Sequence, residues 1–121
     1  MKIRSERLVI EEITWNDFEK VELRTGRIIS AGEFPEARVP AYKLRVDFGV
    51  DIGILRSSAQ ITEHYTLDDL IGKMVVAVIN LAPKQIGPTI SECLITGFPH
   101  PDGNVILCVP DKEVKPGRKL F

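Results

Sequence analysis

The sequence is short of cysteine, of aromatic residues and of net charge, and each shortage closes off a class of function. Two cysteines in 121 residues, Cys93 and Cys108, are too few for the disulfide framework of a small secreted chain, so both are expected as reduced thiols. A net charge of −1 argues against indiscriminate grip on nucleic acid. Any polyanion would have to meet a local cationic patch, with compensating acid elsewhere. No apolar run approaches the roughly 20 residues that cross a bilayer as a helix. The opening MKIRSERLVIEEI scatters charges among its apolar residues, unlike a secretory signal. A cytoplasmic protein is expected. Catalytic constellations are missing as well. His64 and His100 have no cysteine or carboxylate at nucleophile or metal spacing, and no glycine-rich phosphate loop leads into a helix. These absences predict a non-enzyme with no cofactor and no metal.

What is present is one domain's worth of chain, 44% hydrophobic and 27% charged, enough for a single core. Its organising stretch is FPEARVPAYKLRVDFGVDIGILRSSAQ, residues 34–60. Tyr42, Leu44, Val46 and Phe48 alternate with Lys43, Arg45 and Asp47, the period of a half-buried strand with a wet, mainly cationic outer face. Gly49 permits a turn, and Asp51 to Ser57 is the expected return strand. Before the pair lies a loop with Glu36 and Arg38 between two prolines, and after it a polar run of Ser57, Ser58 and Gln60.

Residues 1–13 fit either a short amphipathic helix or an edge strand, and an arm this apolar needs cover from its own domain or a second subunit. Thr14 and Asp17 predict a capped helix over WNDFEK. Glu22 to Phe34 is a long strand whose apolar parity switches, which predicts a bulge at or near Gly26, although Ile29 fits neither parity. Thr66 to Asp69 opens a helix that Gly72 ends early, and MVVAVI at 74–79 is a strand buried on both faces. Residues 80–88 form a loop. Strands follow at 91–98 and 105–109, joined by a tight turn at His100–Asn104, and Lys115-Pro116-Gly117 marks a last turn. The fold class predicted is all-β: a five-stranded OB barrel with a short helix between strands three and four, spanning 17–121 behind an N-terminal arm at 1–16.

Several segments resemble the tRNA-binding domain family and, within it, the CsaA-type export chaperones: DFEKVELRTGRI at 17–28, FPEARVPAYKLRVDFG at 34–49, SSAQIT at 57–62, VINLAPKQIGP at 78–88 and SECLITG at 91–97. FPEARVP followed by SSAQI is the more diagnostic pair. The resemblance implies an OB fold, a homodimer whose barrels meet through segments outside the barrel proper, a holding activity toward unfolded or exported polypeptides, and affinity for tRNA. Leu94 and Cys93 depart from the methionine and glycine common in tRNA-binding relatives, which weakens the tRNA side.

Two sets of candidate residues result. Arg24, Lys43, Arg45 and Arg56, extended by Arg38 and Lys84 from the loops, with Ser91, are the nucleic-acid candidates. A merely solvated strand face is the plainer reading of these cations, and the resemblance tips the balance toward binding. Exposed aromatics of the same parity are lacking, which favours a folded RNA backbone over single strands. Phe34, Val39, Gln60, Ile61, Tyr65, Asn80 and Ile86 are the peptide candidates, an apolar patch with polar partners that alternatively serve as core and loop-amide satisfiers. The leading expectation is a chaperone for unfolded or exported chains, the alternative a freestanding tRNA binder.

Overall fold

The computed structural model describes residues 2–4 and 7–121, with residues 2–4 and 7 as backbone only. In chain order the elements are β1 (Lys2–Arg4), β2 (Arg7–Val9), α1 (Trp15–Glu19), β3 (Leu23–Glu33), β4 (Tyr42–Asp47), β5 (Ile54–Ala59), α2 (Leu67–Leu70), β6 (Met74–Val78), β7 (Lys84–Ile86), β8 (Thr89–Ser91), β9 (Leu94–Ile95), β10 (Gly97–Pro99) and β11 (Val105–Leu107). Both helices begin where a threonine and an aspartate three residues on satisfy each other's backbone N–H, Thr14 with Asp17 and Thr66 with Asp69. Neither is long enough to stand alone. α2 is anchored by Leu70, which is fully buried. Among the described residues no helix is long and apolar enough to cross a membrane.

Five strands form one antiparallel sheet in the order β5-β4-β3-β6-β9. The sheet curls until Glu92, just before β9, donates its N–H to Arg56 O at 2.8 Å, nearly closing a barrel of OB type. α2 lies between the third and fourth of these strands in chain order, as expected. The alternation on β4 is realised: Tyr42, Leu44 and Val46 point inward with Phe48 just beyond, meeting Ile28, Ile61, Leu70, Val75, Ala77 and Leu107 in the core. Every residue of β6 is buried. Of the two readings for residues 1–13, the arm takes the strand: β1 and β2 pair as a separate hairpin, and Ile10 and Ile13 beyond it stay exposed.

The bulge lies elsewhere than at Gly26. The β3–β4 register slips between Ile28 and Ser30, so the extra residue is Ile29, the one that fitted neither parity. Gly26 has a different reason to lack a side chain. A Cβ there would meet Val46 Cγ1 at 2.5 Å and Phe48 Cε1 at 2.7 Å. The stretch at 80–88 is also more ordered than a loop, because its residues 84–86 form β7, which pairs as a hairpin with β8 just beyond it.

Residues 115–120 run back along the half of β3 that β4 leaves unpaired. Gly117 N donates to Thr25 O, Thr25 N to Arg118 O, and Leu120 N to Leu23 O, at 2.7 to 2.9 Å. Lys119 Nζ reaches Glu22 Oε2 at 2.7 Å, and this contact, followed by one from Arg24, holds the Glu22 carboxyl below the usual carboxylate range.

Both cysteines are free thiols. Burial pushes the Cys93 thiol up to about 11, against the Ser57 hydroxyl, which pulls the other way. Only the thiolate alkylates quickly. Native protein treated with iodoacetamide at pH 8 is therefore expected to leave Cys93 unmodified, with full labelling after denaturation, as read by peptide mass spectrometry.

Candidate functional site

Outward-facing residues line up in rows across the first three barrel strands. Register places Gly32, Lys43 and Ser58 in one row, Ser30, Arg45 and Arg56 in the next, and Arg27, Asp47 and Ile54 in a third. Small neighbours on β3 leave the long cations of β4 uncrowded. Lys43 Nζ sits 5.6 Å from the centre of the Phe34 ring, a cation–π contact that steers its stem.

Pairing separates the cations into two groups. Arg24 Nη2 lies 2.6 Å from Glu22 Oε1 and its Nη1 donates to Gly117 O; it faces β6 partner Ala77 and the tail, away from the β4–β5 rows. Arg56 Nε is 2.9 Å from Glu92 Oε1, and the Arg56 N–H first, then its guanidinium, holds the Glu92 carboxyl below its ordinary value. Arg27, absent from the sequence candidates, is tied to Glu113 and to Gly72 O. Arg38, Lys43, Arg45 and Lys84 form no ion pair with any described residue. Of the sequence candidates, these four, uncommitted to any described acid, are the ones left available to a phosphate backbone.

Beside this face opens a groove of about 1030 Å³, lined by the 36–41 loop, the end of β5, the β7–β8 hairpin and residues 91–95. The two loops nearly touch across it: a Cβ on Gly87 would lie 3.9 Å from Glu36. Its lining combines residues from both candidate sets, namely Arg38, Val39, Gln60, Ile61, Lys84, Ile86 and Ser91, with Leu94, noted in the sequence only as a departure from the family, and with Leu81 and Ile95, which the sequence did not single out. Val39, Leu81 and Leu94 are each more than half exposed, so apolar surface is open there. Ser91 donates to Cys93 O at 3.2 Å, and Ser57 reaches the same oxygen at 3.0 Å, fixing the groove floor.

Other peptide candidates stand apart from an open patch. Phe34 is 3% exposed and Ile61 2%, so their bulk belongs to the interior; Phe34 lines a second hollow of about 510 Å³ behind the same loop. Asn80 is a structural clasp, its amide donating to Lys20 O and accepting from Glu22 N, which fastens α1 to the start of β3. Tyr65 accepts from Leu107 N through its hydroxyl at 3.0 Å, while its carbonyl accepts from Tyr42. Neither histidine has a cysteine or carboxylate at nucleophile or metal spacing along the sequence, but the fold brings a carboxylate to both. The turn between β10 and β11 folds Asp102 back onto His100 and brings both to His64, 36 to 38 residues earlier in the sequence, with an oxygen 3.0 Å from a nitrogen of each ring. Sequence spacing had no signal for that long-range approach.

Comparison with known proteins bears on the same residues. The family model described as "Putative tRNA binding domain" matches residues 23–119. The chain is similar to the crystal structure of the chaperone CsaA from Bacillus anthracis, with 42% identity and a TM-score of 0.85, over 92% of this chain and 100% of that one. It is also similar to the CsaA chaperone protein from Picrophilus torridus, with 48% identity and a TM-score of 0.85, over 91% and 100%. Among curated relatives, methionine–tRNA ligase of Parabacteroides distasonis is 33% identical over 110 residues, which is 91% of this chain and 16% of the ligase.

Proposed function

The chain belongs to the tRNA-binding domain family, and from that premise we propose that it is a holding chaperone of the CsaA kind, acting in the cytoplasm on unfolded or export-bound polypeptides without catalysing a reaction. The observation that carries this reading is the groove. It is open, it is floored by Val39, Ile86, Leu94 and Ile95, and it is rimmed by Arg38, Lys84, Glu36 and Glu92 of both signs. An extended segment with mixed side chains can lay apolar groups on that floor while its flanking charges find partners on the rim. The test is light scattering from an aggregating client. Stoichiometric protein is expected to suppress the signal, and no protection at that ratio would remove the reading.

A homodimer belongs to the proposal. Leu8, Ile10, Ile13 and Trp15 are all more than half exposed on the single chain, an apolar arm that its own barrel does not cover. A second copy supplies the cover. Deleting residues 1–14 is expected to convert the dimer to monomer by solution mass, and an unchanged mass would deny the arm that role.

Binding to folded tRNA is a second reading, favoured by four cations unpaired with any described acid and by the family itself. Lys43 and Arg45 engage the backbone from β4 while Arg38 and Lys84 stand on the groove rim, so RNA and polypeptide would share part of one surface. Titrating the protein with tRNA and with an unfolded polypeptide at two salt concentrations separates them. RNA affinity is expected to fall steeply with salt and polypeptide affinity to change little.

A further inference from the structure

His64, on the segment between β5 and α2, meets His100 and Asp102 from the β10–β11 turn. Nε2 of His64 is 3.0 Å from Asp102 Oδ2, and Nδ1 of His100 is 3.0 Å from Asp102 Oδ1. The rings stand 4.7 Å apart, and the three donor atoms all lie within 4.8 Å of one another. Two features do not fit a simple hydrogen-bonded cluster. Nε2 of His64 is shut off from solvent yet makes no aligned hydrogen bond with any described residue. Nδ1 of His100 accepts the Asp102 N–H at 3.2 Å, which requires its lone pair. With that lone pair in place, Nδ1 and Oδ1 face each other as two acceptors.

We infer that His64, His100 and Asp102 form a binding site for a borderline divalent transition metal such as zinc, cobalt or nickel, which clips the β10–β11 hairpin to the segment ahead of α2. A dication turns the facing acceptors into ligands and gives the sequestered Nε2 its partner. Two imidazole nitrogens and one carboxylate oxygen suit zinc and its neighbours, whereas calcium and magnesium require oxygen sets. Tetrahedral bonds of about 2.0–2.1 Å place donors roughly 3.3 Å apart, so small side-chain shifts assemble the site. The Asn104 N–H donates to Asp102 Oδ1 at 2.8 Å and so orients the carboxylate within the turn. Three protein ligands leave the fourth position for water. The site is independent of the groove and of the cationic face.

The experiment uses chelator-treated full-length protein titrated with Co²⁺, followed by its visible d–d absorption, and with Zn²⁺, followed by thermal unfolding. Saturable 1:1 binding is expected. At about a hundredfold excess of Zn²⁺ over Kd, Tm is expected to rise by about 10 °C, because only the folded chain presents the site. Mg²⁺ is expected to leave Tm unchanged. His100→Ala and Asp102→Asn, both at solvent-exposed turn positions, should fold normally and weaken Co²⁺ binding at least tenfold. Absence of saturable Co²⁺ binding would overturn the inference. Equal binding by both variants would place the metal elsewhere and overturn it too.

Discussion

Reversing Lys43 and Arg45 together to glutamate is expected to lower affinity for tRNA roughly 10- to 100-fold at low salt, and to make the dependence of log affinity on log salt shallower by about two contacts at 0.9 each. The pair is the right target because register sets both side chains outward on β4, between Gly32, Ser30 and Ser58, and neither is neutralised by a described acid. Arg24 and Arg56 are poorer choices, since Glu22 and Glu92 already occupy their guanidinium groups. The fold should tolerate the change. Only the Lys43–Phe34 contact is lost, about 0.5–1 kcal/mol at a partly exposed site. Fluorescence anisotropy with labelled tRNA over a salt series provides the measurement, and client protection by the same variant should persist because the groove is untouched. Unchanged affinity and slope would reduce the face to ordinary solvated surface.

Phe48→Ala is expected to cost about 3–5 kcal/mol, a large share of the 5–15 kcal/mol that a domain this size has, and to lower Tm on the order of 15 °C. Phe48 is almost wholly buried, fills the end of the barrel beyond β4, and packs over the space that Gly26 leaves empty. Gly26→Ala should destabilise by about 1–3 kcal/mol through overpacking against Val46 and Phe48. The two changes touch the same volume, so the double variant should be more stable than the sum of the single losses predicts. Thermal denaturation of the four proteins gives the coupling directly. Strict additivity would show that Gly26 is constrained by something other than its neighbours' bulk.

Legibility followed the range of the interactions. The alternation on β4, the unbroken apolar β6 and the two threonine–aspartate caps are local patterns, and each led to the element found there. The bulge was foreseen as a parity switch but misplaced, because parity shows that a strand slips and leaves the slipping residue open among its neighbours. Gly26 attracted attention as a breaker, while its true constraint, two side chains from a different strand, is invisible along the chain. The groove was legible only in pieces. Residues chosen separately for RNA and for peptide converge on it, whereas Leu81 and Ile95 carried no local mark and Leu94 was marked only as a departure from the family. Asn80 and Tyr65 drew notice as polar or aromatic near loops, and the hydrogen bonds that occupy them run to residues more than 20 positions away. His64 and Asp102 meet by the same kind of long-range closure.

The run of residues 115–120 along β3 also bears on how the protein is made. Leu23 and Thr25 find backbone partners at Leu120, Gly117 and Arg118, so that edge stays bare until residues 115–120 have been translated. A nascent polypeptide can assemble the β3–β4–β5 meander on the ribosome but must wait until these residues leave the tunnel before the seam is sealed. During that interval the young protein presents an unpaired strand edge of the type that recruits foreign strands. A molecule proposed to shelter unfinished chains would itself pass through a stage in which it needs such shelter.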